Sequence, residues 1–231
     1  MKTIAAFFIF LISFSILAAA QDDDDWASRK YDIENFSKIY LYGGYKVYLT
    51  QGKKPGLIVK TSDEDVLDNL KVENRGDELR LVMKEDFITY KRIRLYITFT
   101  ELEAILAKGG LKLETDGYLD IGDLDMQIEG GANINLQMKA DEVKVTGEGG
   151  VLIELDGVAS SLMVKLSGAG HLDAKELRTE EVHVEIEGVG TGSVHATEKL
   201  FAKIEGVGKI TYKGNPRVIK EIEGLGSVKS Y

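Results

Sequence analysis

Alternating apolar and polar residues recur through the C-terminal half of the chain, and each copy of the pattern is centred on a glycine. In Leu200–Pro216, apolar side chains stand two and four residues before Gly206, and four and six residues after it. Alternation with a period of two is typical of β-strands that bury one face. Each copy is therefore predicted to be two short strands joined at a glycine corner.

Seven copies follow Leu102, at spacings of 17 to 21 residues. The residue two positions before each anchor glycine is apolar, and an aliphatic residue stands four positions after it in every copy but the fifth. In the fifth copy, Thr191-Gly192 is interpreted as an insertion, so that Val194 takes the place of the aliphatic residue after the anchor. Gly43 fits the same frame and indicates an outlying N-terminal copy. The predicted anchor glycines are Gly109, Gly130, Gly147, Gly168, Gly188, Gly206 and Gly224.

These copies predict an all-β fold, a parallel β-helix of about seven short rungs. A unit of about 19 residues cannot bury its apolar stripes by itself, so the copies are expected to stack about 4.8 Å apart. Glycine suits corners at which a Cβ would clash, and parallel crossovers favour a right-handed winding. A leucine-rich repeat would show LxxLxL and an asparagine ladder, and an antiparallel sandwich does not explain glycine in a fixed register.

Residues 31–100 are predicted to be a β-rich N-terminal part that precedes the regular repeats of residues 101–231. A turn at Asn74–Asp77 joins two apolar runs in a hairpin, and Ile93–Phe99 alternates as a strand with one buried face. A short helix over Asp63–Leu70 is expected, with Ser62 as its cap. Residues 31–231 are interpreted as a single domain.

The first residues are typical of a secretory signal peptide. Lys2 precedes the uncharged apolar run Ile4–Leu17, and Ala18–Ala20 supplies small residues for cleavage near Ala20. A membrane anchor is the alternative, although the run is short for a bilayer span. Residues 1–20 are thus predicted to be removed, leaving a flexible acidic leader at residues 21–30. The expected location is the periplasm, the outer-membrane surface or the extracellular space.

Composition narrows the functional classes. The formal net charge of -9 makes nucleic acid an unsuitable partner. The chain has no cysteine, which excludes disulfides, Cys-ligated zinc and a thiol nucleophile. An exported protein without cysteine suits a bacterial envelope better than a eukaryotic extracellular space.

An acidic column is the strongest candidate for a metal site. Glu187, Glu205 and Glu223 each stand directly before an anchor glycine, so stacking would bring their carboxylates about 5 Å apart. Mutual repulsion would raise their pKa values, and a calcium ion could relieve it. The alternative is a hydrated ladder of splayed side chains flanked by lysines. No other cofactor is expected.

Catalytic motifs do not emerge from the sequence. The three histidines lack the HExxH spacing of zinc sites, and no Gly-x-Ser-x-Gly elbow occurs. His183 is expected to point outward with Glu185. The strand around Arg92 and Arg94 has a basic, aromatic outer face that suits an anionic glycan, unless it is simply solvated. Six tyrosines could either stack on sugar rings or simply pack against their neighbours: Tyr42, Tyr45, Tyr48, Tyr90, Tyr96 and Tyr118.

The repeats resemble a known family. The segment GVGKITYKGNPRV (Gly206–Val218), followed by IEGLGSV (Ile222–Val228), is similar to the head GIN domain of auto-transporter adhesins, which is common in Bacteroidetes. The resemblance extends over Tyr31–Tyr231. It implies a β-helix similar in fold to the pectin lyases, and it supplies no catalytic residue. Glutamate replaces the serine of the family's S-G-S-G pattern in most copies.

The favoured function is that of an exported, non-catalytic module for adhesion or envelope interaction. One alternative is a carbohydrate-active or glycan-binding protein, since glycan hydrolases and lyases share this fold but need carboxylates in a groove. Another is an envelope scaffold that self-associates through a sheet edge at Glu221–Tyr231. The expected partners are accordingly a glycan, an envelope or surface protein, or a second copy of the chain.

Overall fold

The computed structural model describes residues 26–84 and 92–231, which are all-β apart from one five-residue helix. The predicted signal peptide, residues 21–25 of the predicted leader, and Tyr90 lie outside the described residues. The elements are β1 (Ala27–Tyr31), β2 (Lys38–Gln51), β3 (Gly56–Thr61), α1 (Asp65–Asn69), β4 (Leu70–Arg75), β5 (Glu78–Met83), β6 (Ile93–Phe99), β7 (Ala104–Thr115), β8 (Leu119–Asp120), β9 (Leu124–Lys213) and β10 (Arg217–Ser230).

Parallel pairing of successive copies dominates the fold. β2 pairs with β7, β7 with β9, and β9 with β10, all in parallel. β9 runs for 90 residues and stacks on itself, since Gly168 contacts Gly149 and Gly206 contacts Gly188. Each stacked layer that passes through one anchor glycine is called a rung below. The sheet is open, and its winding as a right-handed β-helix of about seven rungs stays a prediction.

A column of glycines with positive φ joins the rungs. A Cβ on Gly130, Gly149 or Gly206 would lie 2.3 Å from the carbonyl oxygen of the preceding glycine in the column. No side chain fits so close to a backbone oxygen, and φ values of 116° to 127° disfavour any residue but glycine at these three positions. The column comprises Gly43, Gly109, Gly130, Gly149, Gly168, Gly188, Gly206 and Gly224.

The prediction that Gly147 is an anchor was wrong, because Gly149 stacks on Gly130 in its place. Gly147 instead faces inward, where an added Cβ would lie 3.1 Å from side-chain atoms of both Leu166 and Val151. A shift of two residues keeps every side chain on its own face of a strand. The apolar pattern favours Gly147, with Val145 two positions before it, because the residue two positions before Gly149 is Gly147 itself.

The predicted insertion at Thr191-Gly192 was also wrong. Ser193 Oγ lies 3.0 Å from Thr211 Oγ1, an offset of 18 residues, which equals the spacing between Gly188 and Gly206. Gly192 therefore occupies the position four residues after its anchor, with Ile210 beside it on the next rung. A glycine replaces the expected aliphatic residue, and Val194 is the next inward side chain.

The N-terminal part closes one end of the stack. The outlying copy is confirmed, since Gly43 in β2 pairs with Gly109 in β7. On its other side, the first half of β2 pairs with β5 and the second half with β6. The predicted hairpin is confirmed as β4 and β5, and the predicted strand as β6. α1 is shorter than predicted, and no side chain caps it.

One continuous apolar core extends from Phe36 to Val228. It consists of the inward residues of each strand, and side chains such as Val47, Leu113 and Ile134 have no exposed surface. Burial of these aliphatic groups provides the main stabilisation of the stack, at about 25 cal/mol per Å² of apolar surface. Within residues 26–84 and 92–231, no helix is long and apolar enough to cross a membrane.

The glycine column can be tested at Gly149. We expect Gly149→Ala to lower the free energy of unfolding by about 3 kcal/mol, because the new Cβ meets the Gly130 carbonyl and φ becomes strained. Gly150→Ala is the matched control, since a Cβ there meets nothing within 4 Å. Gly147→Ala should have an intermediate effect, because its neighbours are side chains. Urea unfolding measures these free energies. An equal decrease in the free energy of unfolding for all three variants would contradict the revised register.

Candidate functional site

The glutamates that precede the anchor glycines form a column on the outer surface. Glu223 pairs in register with Glu205, as predicted. Lysines separate the carboxylates, however. Lys165 Nζ lies 2.6 Å from Glu187 Oε1, and Lys203 forms an ion pair with Glu205. The corrected register adds Glu148, which precedes Gly149 and was missed because Gly147 was taken as the anchor.

The ion pair of Glu187 with Lys165 reverses the predicted direction of the pKa shift of Glu187. The hydrogen bond from Lys165 lowers the pKa of Glu187, and the Ser167 hydroxyl, 2.9 Å away, lowers it further. The expectation of raised values was wrong for Glu187, because a cation from an adjacent rung contacts the carboxylate. In the part of the chain that the structure describes, no three acidic or histidine side chains are arranged to hold a metal. Calcium at Glu187, Glu205 and Glu223 stays a prediction.

His183 points outward, as predicted. Its Nε2 lies 2.8 Å from Glu185 Oε1, and its ring packs on Phe201 with the centroids 4.3 Å apart. The hydrogen bond from His183 lowers the pKa of Glu185 despite partial burial. Because the side chain of His183 contacts a carboxylate and an aromatic ring, it is a partly packed surface histidine.

A second cluster lies at the N-terminal end of the stack, on the outer surface of β2, β3 and β6. Strand pairing sets Tyr48 opposite Tyr96, Lys46 opposite Arg94, and Lys60 opposite Arg94. The two tyrosine rings stack with their centroids 4.9 Å apart and their planes 10° apart. Lys46, Tyr48, Lys60, Arg94 and Tyr96 are together called the basic–aromatic face.

Cations cover the outer sides of this ring pair. Lys46 Nζ lies 4.6 Å from the centroid of Tyr48, and Lys60 Nζ lies 5.5 Å from that of Tyr96. Each ring thus has a tyrosine on one side and an ammonium group near the other, so little ring surface is left for a sugar to stack on. The face presents ammonium groups and phenol hydroxyls instead.

Neighbouring side chains hold these cations in place. Lys46 Nζ lies 3.2 Å from Glu114 Oε2, and the hydroxyl of Tyr48 together with Glu114 raises the pKa of Lys46. Arg94 lies over the ring of Trp26, with the guanidinium carbon 4.2 Å from the ring centroid. The lysine therefore stays protonated throughout the physiological pH range.

Sequence reasoning found only part of the basic–aromatic face. Arg94 and Tyr96 alternate along one strand and were recognised as a basic, aromatic surface. Lys46 and Lys60 were missed, because they lie on two other strands. Among the other tyrosines, Tyr45 is buried, and its hydroxyl donates to the carbonyl oxygen of Tyr42 at 2.8 Å. Burial raises the pKa of Tyr45.

An acidic groove, lined in part by Gln51 at the end of β2, was not predicted. It encloses about 510 Å³, between the segment that follows β6 and the segment that follows β8. Lys144 is the basic residue in its lining, and Lys144 Nζ lies 3.2 Å from Asp125 Oδ2. Its acidic lining residues are Glu101, Glu103, Asp120, Asp123, Asp125 and Glu142.

The family model described as "Putative auto-transporter adhesin, head GIN domain" matches residues 35–216, which is most of the chain. The chain belongs to the head GIN domain family. The resemblance noted in the repeats is thereby confirmed. No curated protein is significantly similar to the chain.

Solved structures share this head GIN fold. A putative adhesin from Bacteroides fragilis is 25% identical and superposes with a TM-score of 0.81, over 90% of this chain and 98% of its own. A putative lipid binding protein from Parabacteroides distasonis is 22% identical, with a TM-score of 0.69 over 90% and 97% of the two chains. A putative adhesin from Parabacteroides merdae is also 22% identical, with a TM-score of 0.67 and the same coverage.

The ion pair of Glu187 has a consequence that pH titration can test. Because the folded-state pKa lies below the ordinary value of 4.5, the pair stabilises the fold above that value and loses its effect as the pH falls through the lowered pKa. We expect Lys165→Gln to raise the pKa of Glu187 in an NMR titration. Lys139→Gln, which removes a distant ion pair with Asp120, should leave it unchanged. If the pKa of Glu187 is unchanged in both variants, Lys165 does not cause the shift.

Proposed function

We propose that this head GIN protein is an exported, non-catalytic binding module of adhesin type, built as a parallel β-helix. The basic–aromatic face carries the proposal, because it combines fixed cations and aromatic rings on a rigid sheet. The family name and the related adhesin structures support the same role. The signal-like N-terminus, with Lys2 and the apolar run that follows, supports export to the periplasm or the cell surface.

The β-helical winding rests on the register of the rungs. Each residue of β10 lies 18 positions after its partner in β9, and β7 and β9 pair with an offset of 21. A chain that pairs in parallel with itself at such a short offset must return to its starting side once in each repeat. One turn of a coil per rung meets this requirement, and an antiparallel meander does not.

The ligand that suits the basic–aromatic face is an anionic glycan. The protein as a whole carries a net charge of -9, whereas Lys46, Lys60 and Arg94 project from this face within three neighbouring strands. Carboxylate or sulfate groups along a polysaccharide would pair with these cations. Phenol hydroxyls of Tyr48 and Tyr96 add hydrogen-bonding groups between the charges. Recognition would then depend on charge and hydrogen bonding more than on ring stacking.

Binding to polysaccharides tests this function. We expect the purified protein to bind heparin, alginate or polygalacturonate, to ignore neutral dextran, and to lose affinity as salt rises. The double substitution Lys46→Gln/Lys60→Gln should weaken binding at least about tenfold, equivalent to about 1.4 kcal/mol.

The matched control is Lys139→Gln/Lys199→Gln, which removes two exposed, ion-paired lysines elsewhere. Its affinity should remain that of the unmodified protein. If the protein binds none of the three polyanions, the proposed ligand class is refuted. Equal losses of affinity in both double variants would show non-specific charge attraction.

A carbohydrate-active enzyme is the second candidate function, and the acidic groove favours it. Paired carboxylates act as acid and base in glycoside hydrolysis when they lie about 5 to 9.5 Å apart. Glu103, directly before β7, and Asp125, at the start of β9, both line this groove, and the Asp125 N–H donates to the Glu103 carbonyl oxygen at 2.8 Å. The test is whether the protein releases reducing ends or unsaturated products from a polysaccharide that it binds. If it does, and if Asp125→Asn abolishes this release, the enzymatic function replaces the non-catalytic proposal.

A further inference from the structure

The two ends of the stack differ in how their strand edges are covered. At the N-terminal end, β5 and β6 pair with the first rung, and the sheet finishes in the short strands β1 and β4. At the other end, the 14 residues of β10 pair only with β9, as far as residues 26–84 and 92–231 are concerned. A long edge of this kind is a template for pairing with another chain.

Ile222 of β10 is exposed where its counterpart in the preceding rung is buried, and Leu225 is more exposed than its counterpart Val207. Ile222 pairs in register with Ile204, yet Ile222 is 39% exposed while Ile204 is fully buried. The reason is that Ile204 has a rung on each side and Ile222 has one only. Leu225, directly after the corner glycine, is 76% exposed. The end of the core therefore lacks a covering layer.

The backbone of β10 also has donors directed away from the stack. Tyr231 N–H donates to the Tyr212 carbonyl oxygen at 3.0 Å. Because successive N–H groups of a strand point to opposite sides, those of Ser230 and Val228 point away from β9. A second strand could accept from these two groups in an antiparallel arrangement.

We propose that β10 pairs with β10 of a second copy of this chain, antiparallel, about a two-fold axis at Leu225. In this register Ile222 lies opposite the partner's Val228, and Leu225 lies opposite its own symmetry mate. Glu221 lies opposite Lys229 of the partner subunit, and the symmetry repeats this ion pair on the other side. The two apolar pairs cover the open core, and the two ion pairs fix the register.

Neighbouring registers fit less well. Moving the axis to Gly224 sets Lys220 opposite Val228, and moving it to Gly226 sets Ile222 opposite Ser230. An axis between two residues would place inward side chains opposite outward ones. The axis at Leu225 is also compatible with the bend of the strand, because a two-fold axis through the corner exchanges its two arms. In the register with the axis at Leu225, Lys220 faces the small side chain of Ser230 of the partner subunit.

An apolar column at the corners would become continuous in this dimer. Val189, Val207 and Leu225 stack on successive rungs, and all three are exposed. Val189 and Val207, with Leu152, border an open cavity of about 540 Å³. The partner's Leu225 would extend the column across the axis, so the most exposed of these side chains becomes covered.

Charge exchange across the interface provides the test. We expect light scattering of the purified protein to give twice the chain mass, in a concentration-dependent equilibrium. Glu221→Lys alone, or Lys229→Glu alone, places like charges opposite each other and should weaken dimerisation at least tenfold. The double variant Glu221→Lys/Lys229→Glu should restore it.

The control Glu154→Lys changes an exposed charge several rungs before β10 and should dimerise normally. Circular dichroism and the melting temperature will show whether each variant is folded. A monomer at all concentrations, open-ended filaments, or a dimer indifferent to both single charge reversals would overturn the proposal.

A cross-link at the axis gives an independent measurement. The chain has no cysteine, so Leu225→Cys introduces a single thiol. Opposite residues of a non-hydrogen-bonded antiparallel pair have Cα atoms about 4.5 Å apart, within the range that a disulfide spans. Mild oxidation should convert Leu225→Cys to a covalent dimer and leave the control Glu154→Cys, several rungs away, monomeric. Equal cross-linking of both variants would contradict an axis at Leu225.

Discussion

The contact between successive corner glycines sets the geometry of this protein. Where the carbonyl oxygen of one glycine lies 2.3 Å from the point that a Cβ would occupy on the next, two backbones pass at a distance that excludes every side chain. This contact fixes which residue stacks on which. Inward aliphatic groups then fall above one another, and outward charges form columns. The core, the ion-pair ladders and the open edge of β10 all depend on that register.

Much of the fold follows from local patterns, because glycine corners and period-two alternation repeat in the sequence. The hairpin of β4 and β5, the strand β6 and the outlying copy at Gly43 were all predictable in this way. The choice between Gly147 and Gly149 was not, since both keep the same parity and the apolar pattern fits Gly147 better. Only contact with Gly130 identifies Gly149 as the corner. Periodicity thus reports which face a residue occupies, and the stacking contact reports its position along the stack.

The candidate sites were less predictable than the fold, because they combine residues from different strands. Lys165 belongs to another rung than Glu187, and its ammonium group turned a predicted repulsion between carboxylates into an ion pair. Lys46 and Lys60 meet Tyr48 and Tyr96 only after β2, β6 and β3 pair. Outward side chains carry no periodic signal of their own, so their partners depend on register. The column of glutamates and its flanking lysines were visible in the sequence, whereas the pairing of Lys165 with Glu187 across rungs was not.

The sealed N-terminal end also bears on how the chain folds. Its first rung is made by β2 and β7, whose paired residues are 66 positions apart, whereas later rungs join segments only 18 to 21 positions apart. Loop closure is most costly for the first of these contacts and cheap for each later one. Once the first rung has formed, the repeats can add to it one after another by short-range pairing. During synthesis, the segment that emerges first would supply the template for the rungs that follow.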